Sequence, residues 1–264
     1  MEQHLGFVTN RRGKALFYHL RLCGKARPVA IFCNALLEEA IFCQNHLARW
    51  SGWLAENGFN VMTFDYQGSG NSEGSHPVSA DQMLDDLVDI TDWYHRTYQK
   101  QPLFLIGIRF GFNLALKATA RLNVTKVIGV EPIFHLEQYQ TSLLRSNLTT
   151  QLSAFGRIVE DRRHLMTKLE RGNRITVSGY DIDDEFFRSI ERFQLQHMSS
   201  AADRMVFLRQ NNTEKTRRKR IERALGKAGI DHAWIELEPF WTETRSFTPH
   251  QPALFHATKR FLSC

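Results

Sequence analysis

Short apolar segments alternate along this chain with longer segments in which apolar residues recur every three or four positions. The short segments predict buried β-strands over residues 28–32, 59–64, 103–106, 126–130, 205–208 and 234–237. The longer segments predict helices over residues 39–57, 80–98, 111–122, 215–227 and 252–262. Strands that alternate with helices are typical of parallel βαβ units with right-handed crossovers. We therefore expect an α/β fold built on a mostly parallel, doubly wound sheet.

Two regions depart from this alternation. Residues 7–22 contain two partly alternating segments around a polar turn, which predicts a β-hairpin. Residues 132–203 are polar and mostly helical in period, without a clear core strand. We interpret this second region as a mainly helical cap inserted into the core, so that residues 1–131 and 204–264 form the α/β domain.

The composition is that of an ordinary globular protein of 264 residues, 42% of them hydrophobic. No apolar run is long enough to cross a membrane, and the N-terminus lacks the charged-then-apolar layout of a signal peptide. The four cysteines, at positions 23, 33, 43 and 264, show neither metal-ligand spacing nor a disulfide-scaffold pattern. We expect a cytoplasmic protein with no metal and no cofactor, whose partner is a small molecule.

Positive charge is concentrated in one stretch, residues 215–227, although the net charge of the whole chain is only +6. Such a stretch is compatible with a binding patch for nucleic acid, anionic lipid or an acidic polymer. A solvated helix face is the alternative interpretation. No aromatic residues interleave with the cations, which favours the solvated face, and we expect no nucleic-acid partner.

The most informative segment is residues 102–123, where an apolar strand runs into the sequence GIRFG at 107–111 and then into an Ala/Leu-rich helix. This is the strand–turn–helix context of a nucleophile elbow, whose usual pattern is G-x-S-x-G. The central residue here is Arg109. Arginine stays protonated and has no acceptor lone pair, so it cannot attack a carbonyl carbon.

A second motif precedes the elbow: residues 65–72 read DYQGSGNS and fit the loop pattern D-x-x-G-x-G-x-S. With the initial hairpin, the early strand and the elbow, the order of elements resembles the α/β-hydrolase fold over essentially the whole chain. That resemblance implies a parallel sheet, a cap, and a pocket at the elbow.

A narrower resemblance is to the second type of exosortase A system-associated hydrolase, a family found with bacterial exopolysaccharide and protein-sorting loci. The segments that carry it are Glu38-Glu39, the elbow at 107–111, Leu143-Leu144-Arg145, 177–180, Pro239-Phe240-Trp241 and 252–254. The resemblance implies that arginine in the elbow is a family trait. The name of that family does not establish its chemistry.

A serine hydrolase needs a nucleophile, a base and an acid that orients the base. In the resembling fold the acid follows the strand after the cap, where amides stand at 210–212, and the base follows the last strand, where Phe240 and Trp241 stand. All three triad positions are therefore interpreted as vacant. Glu39 and His250 are the replacement candidates for a catalytic role, while Cys33 at a strand end is typical of a small buried residue.

The same positions favour anion binding instead. We expect the N–H groups of Phe110 and of Asn34 or Ala35 to converge at the helix N-terminus beside Arg109. Glu38 or Glu39 would lie opposite the guanidinium and could pair with it. A carboxylate paired with Arg109 favours a structural role, and an open polar pocket favours a ligand.

Three functions remain open from the sequence. The first is a degenerate hydrolase that binds an acidic or acyl-bearing metabolite in a pocket bordered by Phe240 and Trp241. The second is an ester or thioester hydrolase or acyltransferase with Glu39 as base and Arg109 as oxyanion stabiliser. The third is an interaction protein that uses the cap or the basic helix.

Overall fold

The computed structural model describes residues 1–195, 200–210, 215–242 and 251–263. Its strands are β1 (Glu2–Thr9), β2 (Ala15–Leu22), β3 (Val29–Cys33), β4 (Asn60–Phe64), β5 (Leu103–Ile108), β6 (Lys126–Val130), β7 (Ile175–Val177), β8 (Tyr180–Ile182), β9 (Asp203–Arg209) and β10 (Asp231–Ile235). Its helices are α1 (Leu37–Glu56), α2 (Ala80–Tyr98), α3 (Phe110–Ala118), α4 (Leu136–Phe155), α5 (Arg162–Glu170), α6 (Asp184–Ser189), α7 (Lys215–Ala228) and α8 (Pro252–Ser263), with a 3₁₀ turn at Ile190–Phe193.

Eight of these strands form one sheet in the order β1-β2-β4-β3-β5-β6-β9-β10. The pairings β1–β2 and β2–β4 are antiparallel, and the others in this sheet are parallel. The expected mostly parallel, doubly wound sheet is confirmed, with the N-terminal hairpin at one edge. The carboxyl ends of β3, β5 and β6 lie side by side, which is where ligands bind in open α/β sheets.

The central strands are apolar because helices cover both faces of the sheet. Every residue of β3, β5 and β6 is buried. An apolar cluster lies on each face of the sheet. Residues of α2 and α3 belong to one cluster, and the other is centred on Trp50 of α1 and Phe255 of α8. A rigid sheet between two packed layers fixes the positions of the loops at its carboxyl edge.

The segment between β6 and β9 is mainly helical, as expected, but it also contains the small antiparallel hairpin β7–β8. The sequence pattern did not predict these strands, because each has only three residues and a polar loop separates them. The segment packs onto the core through Asn113 of α3, whose amide donates to the carbonyls of Ile133 and Phe193 at 3.0 and 2.8 Å. That the segment is a separate cap domain stays a proposal.

Some boundaries differ from the expected ones. The helix predicted over 111–122 ends at Ala118, and tighter turn hydrogen bonds continue to Leu122. The last strand begins at Asp231 rather than Trp234, because β10 is an edge strand with only partly buried residues and a weak apolar pattern. Helix α1 begins at Leu37 and ends at Glu56, against the expected 39–57, and Gly58 follows the cap residue Asn57 with φ 91°.

Candidate functional site

The site is built around the sharp turn between β5 and α3. Arg109 at its tip has φ 55° and ψ −123°, a conformation that non-glycine residues rarely adopt. Glycine is required on both sides: a Cβ on Gly107 would lie 2.3 Å from the backbone of Phe112, and one on Gly111 would lie 2.0 Å from the Cys33 carbonyl oxygen. The turn therefore has the strained geometry of an elbow that presents its central side chain.

The guanidinium of Arg109 is held from three directions. Its Nε donates to Oε1 of Glu39 at 3.0 Å, and its Nη1 donates to the carbonyl of Glu131 at 2.9 Å. Its centre lies 5.4 Å from the centroid of the Trp241 ring, a cation–π distance. The Arg109 side chain is 19% exposed and that of Glu39 is 15% exposed. The arginine is therefore fixed in place but remains accessible.

Glu39 also accepts a hydrogen bond from the hydroxyl of Tyr139, at 2.9 Å to Oε2, so both of its oxygens are engaged. Burial raises the pKa of the Glu39 carboxyl, and the Arg109 charge and the Tyr139 hydroxyl only partly oppose this shift. Burial is the largest single effect on Arg109 and lowers its pKa, but the charge and hydrogen bond of Glu39 together with Tyr139 and Glu131 outweigh it, so the net direction is upward. Because desolvation dominates at Glu39, the pair fixes geometry more than it stabilises the fold by charge.

Glu38, the other acidic candidate, faces the helical segment rather than Arg109. Its Oε1 accepts from the hydroxyl of Ser146 at 2.9 Å, and that hydroxyl also lies 2.6 Å from the hydroxyl of Ser178. Successive positions on α1 point about 100° apart, which follows from the residues per turn of an α-helix. The two acidic side chains therefore bind different elements: Glu39 binds the elbow, and Glu38 binds helix α4.

The loop after β3 lies beside the start of α3, and the convergence of the N–H groups of Phe110 and of Asn34 or Ala35 stays a prediction. Gly111 lies against the carbonyls of Cys33 and Asn34, which places the start of α3 beside the loop after β3. The side chain of Phe110 is completely buried against Tyr139, so this residue offers only its backbone to a ligand. Asn34 and Ala35 line a cavity of about 640 Å³ on the β4 side of the elbow, which we call the β4-side cavity.

A second cavity, of about 430 Å³, lies on the other side of the elbow and is called the arginine cavity. It is lined by Arg109, by Glu131 and Tyr139, and by Arg217 and Arg220 of the basic helix α7. The expectation of a solvated helix face fits residues such as Lys219 and Arg223, which are exposed and do not line this cavity. Two cations of the basic stretch therefore border the site, which its sequence pattern did not indicate.

Glu131 is a site residue that the sequence reasoning missed. It follows β6 with φ 45°, its carbonyl accepts from Arg109, and its Oε1 accepts from the backbone N–H of Arg209 at 2.5 Å. The available signal was its position directly after a buried strand, next to the strand that carries the elbow. It ties together the ends of β5, β6 and β9.

The turn after the last strand contributes an aromatic wall. Phe240 stacks on His46 with ring centroids 3.9 Å apart, and its neighbour Trp241 lies under Arg109. The catalytic candidate His250 and the amides at 211–212 of the expected acid position fall outside the described residues. A catalytic role for His250 stays a prediction.

Cys33 is completely buried, and burial raises the pKa of its thiol. A thiol that stays protonated is a poor nucleophile, which agrees with the structural role expected for it.

The described residues contain no group of three or more His, Cys, Asp or Glu side chains that could hold a metal ion. Within the same part of the chain, no helix combines the length and apolar character that crossing a membrane requires.

The sequence agrees with this architecture. Residues 24–214 match the model of the family described as serine aminopeptidase, S33. The chain belongs to this family. It is a member of the α/β-hydrolase superfamily, as its sheet order and elbow indicate.

Solved structures of other α/β-hydrolases show the same fold. Est1E from Butyrivibrio proteoclasticus, solved with ferulic acid, has a TM-score of 0.66 and 13% identity, covering 97% of both chains. The esterase PF2001 from Pyrococcus furiosus has a TM-score of 0.66 and 12% identity, covering 99% of this chain and 91% of the other. GrgF from Penicillium sp. sh18 has a TM-score of 0.63 and 17% identity, covering 100% and 96%.

Two curated relatives match shorter parts of this α/β-hydrolase. The lysophosphatidylserine lipase ABHD12 of Gallus gallus is 27% identical over 113 residues, which is 43% of this chain and 29% of that protein. The lipase of the same name from Danio rerio is 35% identical over 69 residues, or 26% and 18%. The matches thus span less than a third of the relatives' length.

Proposed function

We propose that this α/β-hydrolase binds an anionic, acyl-bearing ligand without hydrolysing it, and that the anionic group of the ligand lies in the arginine cavity. The observation that carries the proposal is a guanidinium at the tip of the elbow, where a nucleophile is expected, facing a cavity that Arg217 and Arg220 also line. A side chain without a lone pair at this position removes acyl-enzyme chemistry from the elbow.

The proposal includes the loss of the whole Ser-His-Asp triad. The aromatic pair Phe240 and Trp241, at the base position after β10, supports the loss of the triad. Trp241 packs against Arg109 and occupies the space beside it. The elbow geometry itself is retained, so the strained turn now holds a binding residue instead of a catalytic one.

The charge around the arginine cavity favours an anion. Glu39 neutralises Arg109, which by itself favours a structural role for this guanidinium. The positive charge that favours an anion therefore comes mainly from Arg217 and Arg220, which line the same cavity. Among the described residues, Nη2 of Arg109 has no hydrogen-bond partner, whereas its Nε and Nη1 are engaged. The cations of α7 add positive charge at the cavity wall, so a phosphate or carboxylate would meet donors on two sides.

The rest of the cavity wall favours an acyl chain beside the anionic group. Apolar side chains from the loop after β6 and from α7 line it, namely Pro132, Ile133, Phe134 and Ile221. The rest of the lining is polar, so the cavity offers an acyl chain one apolar side beside the groups that would hold the anion. Lysophosphatidylserine, named for the two curated relatives, is both anionic and acyl-bearing.

We extend the proposal to cellular context from the resemblance to exosortase A system-associated hydrolases. The protein would act in the cytoplasm, on a ligand of a bacterial exopolysaccharide or protein-sorting system. An exosortase gene beside the gene for this chain supports this extension, and its absence from the source genome contradicts it.

Binding is tested by isothermal titration with octyl phosphate, and with octyl glucoside as an uncharged probe of the same chain length. We expect octyl phosphate to bind and the double variant Arg217→Ala/Arg220→Ala to lose about tenfold in affinity. Lys219→Ala/Arg223→Ala removes the same charge from the same helix outside the cavity and serves as the matched control. Equal affinity for both probes, or equal loss in both double variants, contradicts the proposal.

One observation favours the alternative, an enzyme with Glu39 as general base: the pKa of this carboxyl is raised, as a base working near neutral pH requires. Against it, both oxygens of Glu39 are engaged by Arg109 and Tyr139. Turnover of p-nitrophenyl esters or acyl thioesters by the wild type that disappears in Glu39→Gln establishes the alternative. If the wild type and Glu39→Gln both turn over substrates with short and long acyl chains only at the background rate, ligand binding stays the proposed function.

A further inference from the structure

A group of exposed apolar side chains lies at the far end of helix α4, remote from the elbow. Leu152, Phe155, Ile158 and Val159 are 54%, 66%, 52% and 58% exposed. We call these four residues the apolar cap tip. Tyr139 of the ion-pair network lies on the same helix, about 24 Å away along its axis. An exposed apolar group of this kind is typical of a surface that binds a partner or a membrane.

The loop that carries half of the cap tip is held in one conformation by hydrogen bonds. Gly156 ends α4 in the left-handed conformation with φ 67°. The amide of Gln151 then binds the loop: its Oε1 accepts from the N–H groups of Val159 and Glu160 at 2.7 and 2.8 Å, and its Nε2 donates to the Glu160 carbonyl at 3.0 Å. The apolar side chains are therefore directed outward by a buried polar side chain.

The charges around the cap tip are cationic once internal pairs are considered. Arg157, Arg162 and Arg163 are exposed and form no ion pair within the described part of the chain. The two acidic residues of the same loop have partners already. Glu160 pairs with Lys168, and Asp161 accepts from the backbone N–H of His164 at the start of α5.

A groove along α5 adjoins the cap tip. It has a volume of about 470 Å³ and its lining includes Arg163, Lys168 and Arg171 together with Asp161. Apolar side chains next to unpaired arginines, with a basic groove beside them, are complementary to a lipid surface with anionic headgroups.

We propose that the apolar cap tip binds the surface of a membrane that contains anionic lipid. Phe155 and Ile158 enter the boundary between headgroups and acyl chains, and the three arginines bind the headgroup phosphates. This surface is separate from the arginine cavity, and the inference does not depend on the proposed function.

The test is co-flotation of the purified chain with phosphatidylcholine vesicles that contain about 30 mol% phosphatidylglycerol, at about 0.1 M salt. We expect the wild type to float with these vesicles and not with pure phosphatidylcholine. Phe155→Ser/Ile158→Ser should reduce the bound fraction about tenfold or more. Arg157→Gln/Arg162→Gln/Arg163→Gln should reduce it and remove its salt dependence.

The matched control is Leu5→Ser/Phe7→Ser on strand β1, which removes two equally exposed apolar side chains elsewhere. It should float like the wild type, and unchanged circular dichroism should show that each variant is folded. A wild type that does not float, or equal flotation of all variants, overturns the proposal. So does a dimer in sedimentation velocity that only Phe155→Ser/Ile158→Ser abolishes, without any vesicle binding, because the cap tip is then a contact between two copies.

Discussion

At the scale of single residues, Arg109 and Glu39 are each placed in a setting that suits them only as a pair. Both are mostly withdrawn from water, and a hydroxyl, a carbonyl and an aromatic ring complete their surroundings. Taking two charges out of water costs more than their mutual attraction returns unless the geometry is good, and removing one partner leaves the other uncompensated. A variant at one of the two positions should therefore lose more stability than a variant at both.

We expect Arg109→Gln to destabilise the protein by about 3–5 kcal/mol at neutral pH, because it leaves the Glu39 carboxylate buried without its cation. The double variant Arg109→Gln/Glu39→Gln should recover more than half of that loss. Urea unfolding of the wild type, both single variants and the double variant measures the coupling. Additive effects would contradict the pairing.

The raised pKa of Glu39 gives a second prediction, on pH. The folded protein retains this proton at pH values where the unfolded chain, with the ordinary pKa of 4.5, has released it. The contribution of Glu39 to the free energy of unfolding is therefore full below 4.5 and falls as pH rises through the raised value. The difference in stability between wild type and Glu39→Gln, followed from about pH 4 to 8, should decrease with pH. An increase would mean that the ion pair outweighs burial.

The sequence indicated that an acidic residue would face Arg109, because the ends of β3 and β5 adjoin in this fold. It did not distinguish Glu38 from Glu39, since that depends on the rotation of α1, which begins at Leu37. The contact of Tyr139 with Glu39 could not be predicted from the sequence for a different reason. Tyr139 lies 100 residues from Glu39 along the chain, and only the packing of α4 over the elbow brings the two side chains together.

At the scale of elements, the β5–α3 turn is the least tolerant part of the fold. The sequence at 107–111 predicts a strand–turn–helix, and the structure gives the reason for the glycine at each end, a close backbone approach. What the sequence did not indicate was the position of α7, because its strongly basic pattern resembles any solvated helix. The approach of Arg217 and Arg220 to the elbow follows from the sheet order β6-β9-β10, which places α7 next to the loop after β6.

We expect Gly111→Ala to cost about 4 kcal/mol or more, or to prevent folding, because the new Cβ would lie 2.0 Å from a carbonyl oxygen. The matched control is Gly226→Ala in α7, where a Cβ meets nothing within 4 Å. Since alanine favours helix over glycine, that variant should gain about 0.5–1 kcal/mol. Thermal unfolding of both proteins checks the contrast, and a well-folded Gly111→Ala would show that the turn can relax.

At the scale of the whole molecule, the helical segment and the α/β core share one apolar cluster. Leu144 and Phe186 of that segment belong to the same buried cluster as Leu105 and Phe112 of the sheet and α3. Two units that bury their apolar surface in common gain little from folding separately. The chain order predicts an inserted segment, but its shared burial with the core is a property that only the packed structure reveals.

We therefore predict a single unfolding transition. All five tryptophans, at 50, 53, 93, 234 and 241, lie outside residues 132–203, so their fluorescence follows the core. Far-ultraviolet circular dichroism also follows helices α4 and α5. The two signals should coincide in urea. Loss of helix before the change in fluorescence would show that residues 132–203 unfold independently.

The buried pair at the elbow has a consequence for the history of the chain. On the proposal that arginine replaced a serine, a single reversion at position 109 would not restore an esterase. It would leave an acidic side chain without its cation in a site shaped for two charges, at a cost of about 3–5 kcal/mol. A typical domain has only about 5–15 kcal/mol of stability in all. On the same proposal, a return to hydrolysis would need a change at Glu39 as well as a new base where Phe240 and Trp241 now stand, so the stability of the fold adds a second barrier to the one that the lost triad sets.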